Sequence, residues 1–323
     1  MSEGTIQKTA ELLEVGCYVS TQVLISKIDC TESELKSILE SMRGQGYEIE
    51  ENPELGIRLL SDPDVLSGRA VKTGLQARIL GRSILYDSSL DSTNEKAKTL
   101  GRQGDEEGTV VIADEQTEGR GRFGRNWFSP RGEGIWMSVI LRPPSVLEPY
   151  TPLSLVTAHC VATALRDVAG VRAEIKWPND VKIGDKKVCG ILTELDKDTA
   201  GTSFLVIGIG VNVNQTVFEG ELASLATSVR IETGKAANRT PLIRKILENL
   251  ERSYLKAVEE GFSEVLKDVR KLCTLVGEHV SVNVGSETVQ GYVQDIDDAG
   301  RLIMRTEDGK IREILAGEAN TVR

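Results

Sequence analysis

Between two apolar stretches, residues 110–113 and 135–141, lies a run that opens with Gln116 and reads Gly119-Arg120-Gly121-Arg122-Phe123-Gly124-Arg125-Asn126-Trp127. Roughly twenty residues without a hydrophobic period are unusual inside a compact domain and mark a functional or disordered loop. Glycines let backbone approach a ligand closely, and arginines offer planar forks that grip carboxylate or phosphate with two hydrogen bonds. A tryptophan at the end could stack on a ring. In a chain with a pI near 5.0, three arginines within six residues are not background composition. The segment predicts a site for an anion, and for a flat one. A mobile basic loop touching RNA or DNA is the competing reading. It is not a Walker A loop, which needs Gly-Lys-Ser/Thr, and it does not open a helix as a dinucleotide fingerprint does.

Four further groups could join it. Asp91-Ser92-Thr93-Asn94-Glu95 opens a predicted helix after a strand. Ser92 and Glu95 have capping-box spacing, so a plain N-cap is one reading; three adjacent hydroxyl and amide groups could also read a polar ring. Lys176-Trp177-Pro178-Asn179-Asp180 sets a cation, an amide and a carboxylate at a sharp turn, and Lys187 stands at the entrance of a strand continuing Val188-Cys189-Gly190-Ile191-Leu192. A lone lysine there is ordinarily solvated. Gly208-Ile209-Gly210-Val211-Asn212-Val213-Asn214 ends an apolar strand with glycines and two amides.

The elements that would position these groups fall into three blocks. Residues 1–66 show helical periods at 6–15, 22–28 and 33–42, with Thr31-Glu32-Ser33-Glu34 as a capping box before the third. A short acidic stretch, 47–60, could form a two-stranded wing. That order predicts a winged helix-turn-helix, although any small helical domain could give the same pattern. Asp62-Pro63-Asp64 and Ser67-Gly68 read as a joint. Residues 70–272 alternate strands (84–86, 110–113, 135–141, 173–177, 188–195, 204–213) with helices (93–100, 153–168, 242–259). Short turns, such as that at Gly184-Asp185, favour a mixed α+β sheet over a doubly wound one. Residues 275–323 carry short alternating runs at 279–284, 288–296, 302–305 and 311–315, separated by turns, and predict a small β-barrel.

Length and composition narrow the class. The 323 residues suffice for two or three domains, and 40% hydrophobic with 27% charged residues is ordinary for a globular protein. No apolar run approaches a membrane span, and the N-terminal residues do not read as a signal peptide. Five cysteines (Cys17, Cys30, Cys160, Cys189, Cys273) without a Cys-x-x-Cys pair predict reduced, buried thiols and a cytoplasmic protein. Two histidines make a zinc site improbable, and a net charge of −10 opposes general nucleic-acid affinity.

Together and in this order, the arginine loop, the Lys-Trp-Pro-Asn-Asp turn, the lysine before a Gly-Ile-Leu strand and the Gly-x-Gly-x-Asn strand end resemble biotin protein ligases. The similarity extends over nearly all of the chain and is to the form that carries an N-terminal DNA-binding domain and doubles as a biotin-operon repressor. It implies a multidomain α+β protein. Its parts would be a winged helix-turn-helix (1–66), a mixed-sheet, class II synthetase-like ligase domain (70–272) and an SH3-like barrel (275–323). By motif, Ser92, Thr93, Asn94 and Gln116 would contact the ureido ring of biotin or its surroundings. Arg120, Gly121 and Arg122 would lie along the biotin chain and the acyl-adenylate linkage. Lys187 would meet the carboxylate and the α-phosphate, and Arg125, Trp127, Lys176, Asn179 and Asn212 would serve ATP. Phe123 and Asn126 fill variable positions. The resemblance further implies Mg²⁺ on the triphosphate, a biotin carboxyl carrier domain as acceptor, a homodimer, and operator DNA as a partner.

The chemistry suits those groups. Two like unit charges about 4 Å apart repel by roughly 4 kcal/mol at an effective dielectric near 20. Uncompensated, that alone slows an encounter of carboxylate with phosphate about a thousandfold. Arg120, Arg122 and Lys187, with Mg²⁺, are suited to cancel it. The second step deprotonates a carrier lysine, and Asp180 is the candidate base; orienting Lys176 or touching the metal are its other readings. A lipoate-type protein ligase and a biotin-sensing transcription factor without ligase activity compete with the main reading. The complete arginine loop opposes the first, and an intact Lys187 and Arg122 oppose the second.

At the N-terminus, family and charge disagree. A recognition helix from Thr31 would offer Thr31, Ser33, Lys36 and Ser37 to DNA. Residues 1–68 nonetheless hold 5 basic and 13 acidic side chains, a net −8, against a polyanion whose phosphates supply most non-specific affinity. Glutamate can accept from a cytosine amino group, so acidity does not exclude specificity. A scaffold that contacts the ligase domain or another protein is the alternative.

Overall fold

The computed structural model describes residues 3–13, 17–44, 47–61, 64 and 66–322. Two compact units divide the chain, Met1–Val65 and Leu66–Arg323. The first holds helices α1 (Glu3–Leu12), α2 (Thr21–Ile28) and α3 (Glu32–Gly44), then a hairpin of β1 (Glu48–Asn52) and β2 (Gly56–Ser61). Leu24, Leu35, Ile38, Leu39, Met42 and Leu59 form its core, at the spacing that puts one stripe of α3 inward. The capping box is made: Thr31 N–H donates to Glu34 Oε2 (2.7 Å), and Glu34 N–H donates to Thr31 Oγ1 (3.3 Å). The expected joint at Asp62-Pro63, and Val15 at the end of the first expected helix, lie outside the described residues.

The second unit opens on α4 (Gly68–Lys72), where a joint was expected. Ser67 instead caps this short helix by accepting from Ala70 N–H. The chain then builds a seven-stranded mixed sheet. Its strands are β3 (Ile84–Asp87), β4 (Val110–Ala113), β5 (Gly134–Leu141), β6 (Ala173–Lys176), β7 (Asp180–Ile183), β8 (Lys186–Lys197) and β9 (Ser203–Asn212), in the order β3-β4-β5-β9-β8-β7-β6. Only β3 and β4 run parallel in it; the other pairings are antiparallel. Strand β7 was not expected, because its four residues sit between two turns. β6 stops at Lys176, one residue short of the expected end.

Helices α5 (Thr93–Arg102), α6 (Pro152–Ala169), α7 (Leu222–Leu225), α8 (Val229–Thr233), α9 (Arg239–Glu260) and α10 (Phe262–Leu272) accompany the sheet. β4 and β5 are buried along their whole length, as strands covered on both faces must be. α6 and α9 pack on one face, while Ala97 of α5 joins Val111, Ile140, Phe204 and Val206 on the other.

The last strands are β10 (His279–Val284), β11 (Glu287–Ile296), β12 (Leu302–Thr306), β13 (Ile311–Ile314) and β14 (Glu318–Thr321). They form an antiparallel sheet in the order β13-β12-β11-β10-β14, and no pairing among the described residues joins β13 to β14. The block expected to form a small β-barrel is thus a five-stranded antiparallel sheet. One apolar core runs through the large sheet, α6, α9, α10 and Val280, Val282 and Val293 of the small one.

No described helix is long and apolar enough to cross a membrane. All five cysteines are free; Cys160, Cys189 and Cys273 are buried as expected, but Cys17 is exposed. Burial pushes the Cys160 thiol up to about 12.

His159 of α6 is largely enclosed and its Nδ1 has no hydrogen-bond partner. Burial lowers its pKa, ahead of the opposing pull of Asp268, while Lys271, Arg166 and Arg252 lower it further. The unfolded chain thus takes up a proton where the native chain resists one, and stability falls as pH drops below the ordinary histidine value, about 6.5. In urea denaturation at pH 7.5 and 5.5, His159→Gln should lose less stability between the two pH values than the parent. An identical loss in both would remove His159 from the acid sensitivity.

Candidate active site

The five segments singled out above meet in one cleft of about 750 Å³ at one end of the large sheet. Every residue expected to touch biotin or ATP lines it, Ser92, Thr93, Asn94, Gln116, Arg120, Gly121, Arg122, Arg125, Trp127, Lys176, Asn179, Lys187 and Asn212, and so does the candidate base Asp180. Thr31, just before α3, and Ser33, Lys36 and Ser37 on it belong to the first unit and are exposed.

The floor is a closed polar network at the start of α5. Ser92 stands at the N-cap but its side chain makes no capping bond, which corrects the capping-box expectation for this helix. Gln116 supplies the acceptor instead: its Oε1 takes Thr93 N–H (2.9 Å) and Thr93 Oγ1–H (3.0 Å), while its Nε2 donates to Ser129 Oγ (2.9 Å). Asn94 donates to Glu194 Oε2 (2.8 Å) and accepts from Ser138 Oγ (2.6 Å). Ser138, the single polar residue of buried β5, was overlooked; one hydroxyl inside an otherwise apolar strand was the signal that could have found it. Gly208 lies directly under Asn94, and a Cβ there would collide with the amide.

The walls hold the cations, each restrained in its own way. Arg120 Nη1 reaches Glu95 Oε1 at 2.6 Å, and Lys98 contacts the same oxygen at 2.6 Å. Burial pulls the Lys98 pKa down, but its bonds to Glu95 and Glu194 outweigh that and raise it. Arg125 pairs with Glu318. Arg122 is held by an amide: Nη1 donates to Asn179 Oδ1 (2.8 Å), and the guanidinium lies 4.9 Å from the centre of the Phe123 ring. Burial lowers its pKa, with Asp180 and Glu318 pulling the other way. Phe123 takes a left-handed backbone (φ 57°), so the loop turns sharply beneath the arginine it supports. The arginine loop is therefore ordered, pinned by bridges between Gln116 and Ser129 and between Arg120 and Asn126.

Lys187 is not the solvated strand end that a lone lysine suggests. Its Nζ is 2.7 Å from Asp180 Oδ1 and 5.2 Å from the centre of the Trp127 ring. The contact to Asp180 lacks hydrogen-bond alignment, so it is an ion pair by distance only. Lys176 and Asp180 stand opposite each other in the β6–β7 ladder. Lys176 Nζ donates to Asn320 Oδ1 (3.1 Å). Asn179 also donates to Ile191 O (2.7 Å), and Asn212 donates to Thr227 O (3.0 Å). Trp127 lies against β8 and β9 where Gly190 and Gly210 have no side chain, and its Nε1 is buried without a partner.

Phe218, Glu221, Leu222, Leu225 and Ala226, with Gly317, Glu318, Ala319 and Asn320, also line the cleft and were missed entirely. Their types are ordinary, and only the tertiary fold brings them to the cleft. Trp177, also in the lining, is almost wholly buried, and its Nε1 donates to Gly300 O (2.9 Å) beside the small sheet.

Residues 86–213 match the Biotin/lipoate A/B protein ligase family, and residues 275–319 match the Biotin protein ligase C terminal domain. The fold and cleft thus define a protein of the class that contains biotin and lipoate ligases. The Bacillus subtilis bifunctional ligase/repressor BirA is 34% identical over 303 residues, covering 93% of each chain. The Escherichia coli bifunctional ligase/repressor BirA is 28% identical over 320 residues, 98% of each. The structure of the Aquifex aeolicus biotin protein ligase in complex with biotin and ATP superposes with a TM-score of 0.67 at 34% identity, covering 75% of this chain and 99% of that one. The chain belongs to the biotin protein ligases.

Trp127 depends on Gly210, because a Cβ there would overlap the indole. Gly210→Ala should displace the ring and shift tryptophan emission, and the shift should vanish when Trp127 is replaced by phenylalanine in both proteins. An unchanged spectrum would contradict the close packing.

Proposed function

We propose that this cleft joins biotin to ATP, giving biotinyl-5′-adenylate and pyrophosphate, and passes the biotinyl group to a lysine of a carboxylase's biotin carboxyl carrier domain. The observation that carries this reading is the convergence of all five motif segments on a single cleft. Ser92, Thr93, Asn94 and Gln116 are assigned to the ureido end of biotin. Arg120, Gly121 and Arg122 are assigned to its chain and the acyl phosphate, Lys187 to the carboxylate and α-phosphate, and Arg125, Trp127, Lys176, Asn179 and Asn212 to the nucleotide.

In the first step a biotin carboxylate oxygen attacks the α-phosphorus, and the bond to the bridging oxygen of pyrophosphate breaks. Arg122 and Lys187 flank the cleft as counter-charges to both reacting anions. Mg²⁺ enters as part of the nucleotide substrate. In the second step the carrier amine attacks the acyl carbon and AMP leaves. A lysine starts near pKa 10.4, so its proton needs an acceptor, and we assign Asp180. Incubation with biotin, MgATP and a carrier domain should yield a biotinylated carrier, read by avidin blot; no transfer and no adenylate would overturn the assignment.

The domain reading follows the same family. Residues 1–66 would be a winged helix-turn-helix, 70–272 the class II synthetase-like ligase domain and 275–323 the SH3-like domain, with a homodimer as the assembly. The order of three helices and a hairpin in the first unit, and its relatives' double name, favour a second role as a biotin-dependent repressor. Thr31, Ser33, Lys36 and Ser37 would face DNA. The surface chemistry limits such binding: Lys36 pairs with Glu32, Arg43 with Glu51 and Arg58 with Glu50, so three of five basic side chains there are already countered. Ser37 donates to Ser33 O and Thr31 to Glu34.

Removing a hydrogen bond to a charged group costs on the order of 1.5–3 kcal/mol, so Arg122→Ala should release adenylate roughly ten- to a hundredfold faster. An unchanged release rate removes Arg122 from the site. Lys187→Ala should slow adenylation far more than it lowers Tm; wild-type rates in both half-reactions would leave the lysine a mere strand end. In gel shifts with upstream regions of biotin genes, with biotin and ATP present, we expect weak retention confined to low salt. A tight complex surviving physiological salt would contradict the charge reading of α3 and the hairpin.

A further inference from the structure

Arg239 is the first residue of α9, yet its side chain is only 3% exposed. A cation at a helix N-terminus opposes the helix dipole, and a buried guanidinium loses hydration, so the dipole of α9 does not explain the charge placed there. What it holds lies 125 and 105 residues away in sequence: Nη1 donates to Asp114 Oδ1 (2.7 Å) and to the Gly134 carbonyl (3.2 Å). Asp114 directly follows β4, and Gly134 is the first residue of β5. They are the two stems of the loop that carries Arg120, Gly121, Arg122, Arg125 and Trp127.

The surroundings make this a rigid mount. Gly132 N–H donates to the Asp114 carbonyl (3.2 Å), closing the stems on each other. The Glu133 carbonyl accepts from Val213 N–H (3.2 Å) and Asn214 N–H (2.6 Å) at the end of β9. Asn214 exchanges two hydrogen bonds with the backbone of Ala237, and Asn238 caps α9 through Thr240 N–H. A side chain at Gly134 would collide with Trp136 and the Val211 carbonyl, so the backbone of the stem packs directly on both.

We infer that Arg239 is a positioning residue for the adenylate-forming site: it fixes both stems of the arginine loop, and through them the aim of Arg122 and the closure over the activated acyl group. It touches no reacting atom. The catalytic part of the inference rests on the proposed ligase reading; the mechanical part, that Arg239 clamps the loop, does not.

Two measurements on full-length protein separate these. Arg120, Arg122 and Arg125 are trypsin sites inside the loop. Arg239→Met should be cut there at least tenfold faster than the parent at a temperature where both are folded by circular dichroism, with cleavage elsewhere unchanged. Preformed biotinyl-adenylate, chased with unlabelled biotin and ATP, should escape at least tenfold faster from Arg239→Met. Arg239→Lys, which keeps the charge opposite Asp114 but not the fork, should fall between. Should Arg239→Met not fold, Asp114→Asn and Arg239→Lys carry both readouts. Equal loop cleavage and equal adenylate escape in folded variants, whatever their Tm, would overturn the inference. A parent protein that forms no adenylate would sink the ligase reading instead and leave the cleavage result to judge the clamp.

Discussion

Two anions must be brought into contact inside an acidic protein, and most of the cleft answers to that constraint. The chain carries a net charge of −10, so positive potential at the site has to be built locally. The arginine loop and the Lys176 and Lys187 strands concentrate it. Free cations crowded together would repel one another, and in this structure most are countered: Arg120 by Glu95, Arg125 by Glu318, Lys187 by Asp180. Arg122 differs, held by the neutral oxygen of Asn179 and backed by an aromatic ring. Its charge is oriented without being paired to a carboxylate, and burial in a low dielectric strengthens its pull on an incoming anion.

Orientation elsewhere comes from satisfied polar groups and from missing side chains. Ser138, Thr93, Gln116 and Ser129 bond in series, so the amide of Gln116 and the hydroxyl of Thr93 have fixed directions before any ligand arrives. Such preorganisation lowers the ordering cost of binding. Gly190, Gly208 and Gly210 let Trp127 and Asn94 lie against the strands, which turns the sheet end into the wall of a cleft. The same economy explains why the loop can be long yet ordered: its stems are bonded to each other and to α9.

Local signals in the sequence carried most of this. The long helices, five of the seven large-sheet strands nearly to the residue, and every motif segment follow from periodicity, glycine placement and residue chemistry. What escaped is non-local or masked by turns. β7 lies between the Asn179 turn and Gly184, so its four residues read as loop. α10 begins directly after Gly261, the C-cap of α9, and its short apolar stripe of Val265, Leu266 and Val269 follows the period of the longer helix without a turn segment between them. The N-cap of α5 spacing assigned to Ser92 is filled by Gln116, 23 residues away from Thr93. Glu318 and Asn320, from the last strand, reach the cleft only because the small sheet shares its core with the large one.

The central claim is that these residues activate biotin on ATP. Biotin-dependent exchange of labelled pyrophosphate into ATP tests it most directly, because it reports the first step alone and needs no carrier. The account predicts exchange that requires biotin and Mg²⁺, is not supported by lipoate, and is lost in Lys187→Ala. Exchange that follows lipoate rather than biotin, or none with either acid, would contradict it.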